Sequence, residues 1–329
     1  MSVIKGYQIQ GILAKGGMAT IYIAMQESLK RQVALKVLDP KLDAKILELF
    51  LEESRIIASL KHPNIIPVFD VGRVGIHFYH AMEYLEGGDL EARLSDGIDK
   101  NTALEITLEL ADALYLVHSK GIIHGDIKPA NIVFRSDDCP VLTDFGISKR
   151  TNISDTGNLQ TQEILASPSY ACPEIMQGQE FNQKADIYSL GVMLYEMLVG
   201  TKPYTGSTHA ELVANSIQQS IPLLPDSIKP LQPLIDHMLA KNQDDRIGDT
   251  RMISTYIKKY LRDHPDTTRK QQEKKSNLNS KNNGDVVLEY VPDSDSNMQI
   301  SINPSKTLLP LLIILFSVIV ALSVWFFVI

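Results

Sequence analysis

The stretch IIHGDIKPANIVFRSDDCPVLTDFGIS, residues 122–148, constrains this chain more than any other. Asp126 stands two residues before Lys128 and five before Asn131, and a second acid, Asp144, follows eighteen residues after the first. Between them, Ile132-Val133-Phe134 and Val141-Leu142 are short, β-rich runs divided by Ser136-Asp137-Asp138. That pattern predicts a small hairpin. A carboxylate is thereby fixed at each end of one short structural unit.

The D-x-K-x-x-N spacing with D-F-G downstream resembles the catalytic and metal-binding loops of protein kinases, a specific signal because several independent positions must agree. Phosphoryl transfer needs a group that orients the attacking hydroxyl, a metal bridging the phosphates, and cations that offset charge on the transferring group. The resemblance implies Asp126 for the hydroxyl and Lys128 for the γ-phosphoryl charge. Asn131 and Asp144 are the implied metal ligands, supplying the hard oxygens that Mg²⁺ prefers. ATP and Mg²⁺ are the implied cofactors, with Mn²⁺ as an alternative metal.

Upstream, YQIQGILAKGGMATIYIAMQ alternates apolar and polar residues about a glycine-containing turn, which predicts a β-hairpin. Its segment Ala14-Lys15-Gly16-Gly17-Met18-Ala19-Thr20-Ile21 overlays the kinase glycine-rich loop, where small residues let backbone amides approach phosphates. Only Gly16 of the three motif glycines is kept, since Ala14 and Ala19 stand at the outer positions. Gln32–Leu38 reads as a strand with Lys36 embedded among apolar residues, where it must reach solvent or find a partner. It is similar to the kinase V-A-I-K strand, whose lysine contacts the α- and β-phosphates and pairs with a helix glutamate. The helix follows at Leu42–Leu60, with Ile46, Leu49, Phe50, Ile57 and Leu60 at helical spacing and Glu53 on the same stripe. A carboxylate there calls for a partner, so Glu53 is expected to pair with Lys36.

His62-Pro63-Asn64 ends that helix, and strands around 65–71 and 76–82 are expected to complete the sheet, with His62 in a structural role. By resemblance, Met82 is the gatekeeper and Glu83-Tyr84-Leu85 the hinge. The implied nucleotide-binding set is Ala14, Gly16, Gly17, Ala19, Ile21, Ala34, Lys36, Met82, Glu83 and Leu85. Gly87-Gly88-Asp89 marks a turn into a second lobe. A helix over 101–120 places Leu104, Thr107, Leu108, Ala111, Leu114, Tyr115 and His118 on one face, with Gly121 as its cap.

The polar loop 149–162 and the run from Ala166 to Glu174 resemble the kinase activation segment, with Cys172 in place of an alanine. Glu174 needs a buried cation, and Arg246 stands where the family keeps one. In the expected helix 184–199, Asp186 falls on the buried stripe and calls for backbone donors. Further helices are expected at about 208–219, 230–240 and 251–262.

The net charge of −7 lacks the clustered excess of Lys and Arg that nucleic acid binding requires, so nucleic acid is set aside. Two cysteines are too few for a disulfide framework and lack metal spacing, which favours a reducing compartment. From His264 to Lys306 the composition turns to Asn, Ser, Asp, Lys and Gln, as in a disordered linker, interrupted by the apolar run Val286–Val291, which reads first as a chance run and second as a short docking strand. Leu308–Ile329 carries no charge and is long enough to span a bilayer core.

The expected fold is therefore α+β: a two-lobed protein kinase domain over 1–265 (N-lobe about 1–83, C-lobe about 84–265), a linker over 266–306 and a transmembrane helix over 307–329. The domain resembles bacterial Hanks-type serine/threonine kinases. Implied are transfer of the ATP γ-phosphoryl to Ser or Thr of protein substrates, autophosphorylation, a cytoplasmic kinase domain on a single-pass C-terminal anchor, and homodimerisation through the N-lobe or membrane helix as an option. The competing reading is a membrane-tethered pseudokinase that binds ATP or a partner, suggested by Ala14, Ala19 and by Gly125 where an arginine is usual. Against it, Lys36, Glu53, Asp126, Lys128, Asn131 and Asp144 are all present. A small-molecule phosphotransferase on the same fold is a third reading, disfavoured by the peptide-binding resemblance of Ser167–Tyr170.

Overall fold

The period-two alternation of the first eighty residues closes into one antiparallel sheet in a computed structural model, which describes residues 4–145 and 168–265. Strands β1 (Tyr7–Lys15), β2 (Ala19–Gln26), β3 (Arg31–Leu38), β4 (Val68–Val74) and β5 (His77–Glu83) lie in the order β1-β2-β3-β5-β4. Directly paired residues share a face. Ile21, Lys36 and His80 therefore form one row across three strands, and Ile23, Ala34, Met82 and Val68 form the next. Ala34 and Met82 join the main hydrophobic core of the chain. The opposite face has its own small core, where Val33, Leu35, Val37, Tyr79 and Ala81 pack with Ile4 and Tyr7.

Helix α1 (Ala44–Ser59) buries Leu47, Phe50, Ser54 and Ile57. The strand expected from residue 65 begins only at Val68. Asn64 and Ile66 instead exchange backbone hydrogen bonds with Leu142, with Leu142 N–H donating to Asn64 O at 2.9 Å and Ile66 N–H to Leu142 O at 3.1 Å. Pro67, which has no N–H for a ladder, separates the two pairings and accepts from Glu83 N–H through its carbonyl at 3.1 Å.

The second lobe comprises α2 (Leu90–Ser95), α3 (Lys100–Ser119), the hairpin β6 (Ile132–Phe134) and β7 (Pro140–Leu142), α4 (Pro173–Met176), α5 (Lys184–Val199), α6 (His209–Gln218), α7 (Gln232–Met238) and α8 (Thr250–Asp263). Asp89 caps α2 by accepting from Ala92 N–H at 2.8 Å, and Asp99 caps α3. Gly87 has no room for a side chain: a Cβ would stand 2.6 Å from Arg135 O. Helix α3 is buried on more sides than one stripe predicts, with Ala103, Ile106, Leu110, Ala113 and Val117 also inside, because α5, α8 and β7 all pack on it. Tyr115, expected on the buried face, is exposed and carries the Arg251 guanidinium 4.3 Å above its ring. Helix α5 is likewise buried nearly all round, as a central helix must be.

The expected linker 266–306, the strand 286–291, the membrane helix 307–329 and the loop 146–167 lie outside the described residues. Among the described residues no helix is long and apolar enough to cross a membrane.

Candidate active site

The hairpin β6–β7 carries the acidic residues as its spacing predicts. Just before β6 a turn of 3₁₀ helix, Pro129–Asn131, brings Asn131 back onto Asp126: Asn131 Nδ2 donates to Asp126 O at 2.7 Å and to its Oδ2 at 2.9 Å. Lys128 Nζ lies 2.8 Å from the same Oδ2. With its amide nitrogen committed to Asp126, Asn131 keeps its side-chain oxygen for a cation. Its backbone carbonyl accepts from Thr143 N–H and Oγ1, which ties the loop to the residue preceding Asp144.

Asp144 has a left-handed backbone, φ +52°, uncommon for a residue other than glycine and typical of sites where surrounding contacts hold the chain. Its Oδ1 accepts from Lys36 Nζ at 2.6 Å, a bridge between β3 of the first lobe and the hairpin of the second. Burial would raise the Asp144 pKa, but the Lys36 ammonium and its hydrogen bond hold the carboxyl below the ordinary carboxylate range. Asp144 is thus an anion at neutral pH. In the described contacts Lys36 meets Asp144; the side chain of Glu53, its expected partner, lies outside the described residues.

The backbone under Asp126 is held from α5. Asp186, in the first turn of that helix, accepts from Gly125 N–H at 2.7 Å through Oδ1 and from His124 N–H at 2.9 Å through Oδ2. These are the backbone donors expected for it. A third partner was not legible: His118 Nε2, from α3, lies 2.8 Å from Oδ2. Burial pushes the Asp186 pKa up, and the hydrogen bond and charge of His118, with His124 nearby and the Gly125 amide, outweigh it, leaving the carboxyl below its usual range. Gly125 sits at φ +73°, a conformation glycine adopts without the cost an L side chain incurs.

His124, fully buried, also escaped sequence reasoning. Its Nδ1 accepts from Asp126 N–H at 3.2 Å, so Nε2 carries the proton and donates to Thr143 O at 3.0 Å. Burial lowers its pKa and keeps it neutral, and its ring packs against Phe145 at 4.5 Å between centroids. It joins the two acidic segments from beneath.

The expected nucleotide-binding positions fall on adjoining strands. Ala14 pairs with Ile21, Ile21 with Lys36, Ala34 with Met82, and Val33 with Glu83. Gly16 and Gly17 form the β1–β2 turn with Met18, closed by Gly16 N–H donating to Ala19 O at 2.9 Å, and Leu85 packs against the core beyond β5. The Glu83 side chain meets Arg135 in a bidentate pair, Nε to Oε1 at 2.9 Å and an Nη to Oε2 at 2.7 Å, while the other Nη donates to Pro63 O at 2.5 Å. No sequence pattern announces that clamp between the last residue of β5 and the β6–β7 turn.

Farther off, Arg246 meets Glu174 bidentately at 2.5 and 2.7 Å, as expected, and donates through Nε to Ala240 O at 2.7 Å. Both cysteines have raised pKa values through burial, Cys172 to about 12, so neither is a thiolate at neutral pH. His62 Nδ1 accepts from Asn64 N–H at 3.1 Å, a turn contact.

Among the described residues no three His, Cys, Asp or Glu side chains gather to hold a metal. One carboxylate and one amide oxygen suit Mg²⁺, which usually takes one or two protein ligands and completes its shell with phosphate and water. The site thus offers hard oxygens, a lysine from each lobe and a carboxylate beside Lys128.

Known sequences match this arrangement. Residues 7–259 match the protein kinase domain. The chain is 36% identical over 248 residues to the serine/threonine-protein kinase PknJ of Mycobacterium tuberculosis, covering 73% of this chain and 42% of PknJ. It is 34% identical over 255 residues to PknB of Mycolicibacterium smegmatis, covering 73% of this chain and 40% of PknB, and 34% identical over 220 residues to PrkC of Bacillus subtilis, covering 66% and 34%. The chain thus spans less than half the length of these relatives. By the match over residues 7–259 and these identities, the chain belongs to the protein kinase family, and it is similar to the bacterial serine/threonine members.

Proposed function

We propose that the chain is an ATP-dependent serine/threonine protein kinase. The observation that carries this reading is the joined cluster Asp126–Lys128–Asn131, coupled through Thr143 to Asp144 and by Asp144 to Lys36. Bound Mg·ATP would supply the transferable phosphoryl group and the charge neutralisation that its transfer needs. Asn131 and Asp144 would hold the metal, Lys36 would position the nucleotide phosphates, and Ala34, Met82 and the segment Glu83–Leu85 would face the base.

Asp126 orients the acceptor hydroxyl in this scheme and receives its proton. Lys128, 2.8 Å from Asp126, offsets negative charge on the group in flight. The left-handed Gly125 supports activity over the pseudokinase reading, since the loop keeps its hold on Asp186 without the usual arginine. The same reading assigns 1–265 to the kinase domain, divided near residue 83, and 266–306 to a tether. The charge-free segment 307–329 supports a membrane anchor with the kinase domain in the cytoplasm.

Incubating residues 1–265 with Mg-ATP and a general protein substrate, followed by intact-mass analysis, tests the activity. Added phosphate is expected for the parent and none for Asp126→Asn, and parent protein that transfers nothing would overturn the reading. Fractionation of the full chain against a chain lacking 307–329 tests the anchor, with recovery of the full chain in the soluble fraction as the refuting result.

A further inference from the structure

Helix α1 meets the sheet through a buried polar pair. Ser54 Oγ lies 2.9 Å from His80 Nδ1, with Ser54 1% and His80 7% exposed. One turn earlier on α1, Phe50 stacks on the same imidazole, 4.9 Å between centroids and 27° between planes. His80 stands directly opposite Lys36 in the β3–β5 register, so the pair abuts the row that carries the lysine. Phe50, Ser54 and His80 line one small cavity with Lys36, Asp144 and Phe145. Among the described residues this is the one side-chain hydrogen bond between α1 and the sheet.

We infer that Ser54 and His80 are positioning residues that set the rotation of α1 over the sheet. The inference rests on the kinase reading. Ser54 directly follows Glu53, and neighbouring residues on a helix are about 100° apart around its axis, so the rotation set at Ser54 also sets where position 53 falls around the helix. Apolar contacts are not directional, so by themselves they fix the rotation of a helix less sharply. A hydrogen bond is directional, and breaking this one leaves a buried hydroxyl and a buried imidazole nitrogen unsatisfied. Among the described residues His80 Nε2 has no partner, so turning the ring over would only exchange one unsatisfied nitrogen for the other. The imidazole also stays uncharged beside Lys36: burial first, and the lysine second, lower its pKa to about 3. It therefore orients the helix without adding a second cation to the phosphate site.

The test is a rate cycle with Ser54→Ala, Ser54→Thr, His80→Leu and the double variant Ser54→Ala/His80→Leu, each assayed at least 15 °C below its own measured Tm. Positioning predicts that Ser54→Ala and His80→Leu each lower kcat/KM for ATP about tenfold. Ser54→Thr, which keeps the hydroxyl, stays within about threefold of the parent, and the double variant is no slower than the worse single one. Variants that lose Tm yet keep the parent rate would overturn the inference, as would a Ser54→Thr as slow as Ser54→Ala or single effects that multiply in the double variant. Parent protein active in the same assay separates these outcomes from failure of the kinase reading.

Discussion

Asp186→Asn is the most informative single change in the second lobe. The native carboxylate is 1% exposed and accepts three contacts, from Gly125 N–H, His124 N–H and His118 Nε2. It also sits in the first turn of α5, where the helix dipole favours an anion. An asparagine has the same shape but one oxygen. Whichever way the amide turns, its NH₂ faces a backbone N–H, at Gly125 in one orientation and at His124 in the other. The loss is one hydrogen bond to a charged group, about 1.5–3 kcal/mol, plus a buried donor left unsatisfied, about 1–3 kcal/mol, so about 2.5–6 kcal/mol in all. For a domain of this size that is a fall in Tm of roughly 5–24 °C. Urea unfolding at pH 7 measures the stability, and phosphotransfer well below the Tm measures the function. Because Asp126 follows Gly125, loosening this anchor is expected to slow transfer at least tenfold in protein that is still folded. The native contribution also has a pH signature. The folded pKa lies below the unfolded one, so the stabilisation is complete above the unfolded value of 3.8 and is lost as pH falls through the folded value. A stability loss under 1 kcal/mol, or an unchanged rate, would refute this account of the loop.

Glu174→Ala strands the Arg246 guanidinium, whose side chain is fully buried, and is expected to cost about 3–5 kcal/mol, read by thermal melting; a loss under 1 kcal/mol would show that the backbone carbonyls around Arg246 suffice. His80 has a folded pKa of about 3 against 6.5 unfolded, so the unfolded chain takes up the proton first and stability falls as pH drops below 6.5. At pH 5 that is about 2 kcal/mol, and the stability of the parent relative to His80→Met is expected to drop by that amount between pH 7 and pH 5. Arg135→Ala removes the clamp on Glu83 and is expected to raise KM for ATP about threefold with kcat unchanged; steady-state kinetics that show kcat falling instead would place Arg135 in another role. Gly125 supplies no cation for an activation-loop phosphate to neutralise, so Thr161→Ala is expected to stay within about tenfold of the parent, or 1.4 kcal/mol. A hundredfold loss restored by Thr161→Glu would show that another cation, Lys149 first, has taken over that switch.

The catalytic hairpin, the antiparallel strands and the helices were legible because each rests on a local period or on short spacings within a single segment. So were Glu174 with Arg246 and the backbone donors of Asp186, since a charge on a buried face must have a partner and the family resemblance said where to look. What the sequence could not announce is pairing across long separations without periodicity. Ser54 and His80 are 26 residues apart, Glu83 and Arg135 are 52, and His118 and Asp186 are 68. Each side chain taken alone reads as an ordinary polar residue on its own element. Burial followed the same division: one apolar stripe is visible in α3, but a helix enclosed by α5, α8 and β7 buries further faces, while Tyr115 on the expected face stays outside under Arg251. Local chemistry determined which elements form and which carry the acids. Only the packing of distant elements decided which polar groups lose water together, and a buried polar group takes whatever partner the tertiary fold brings within hydrogen-bond reach.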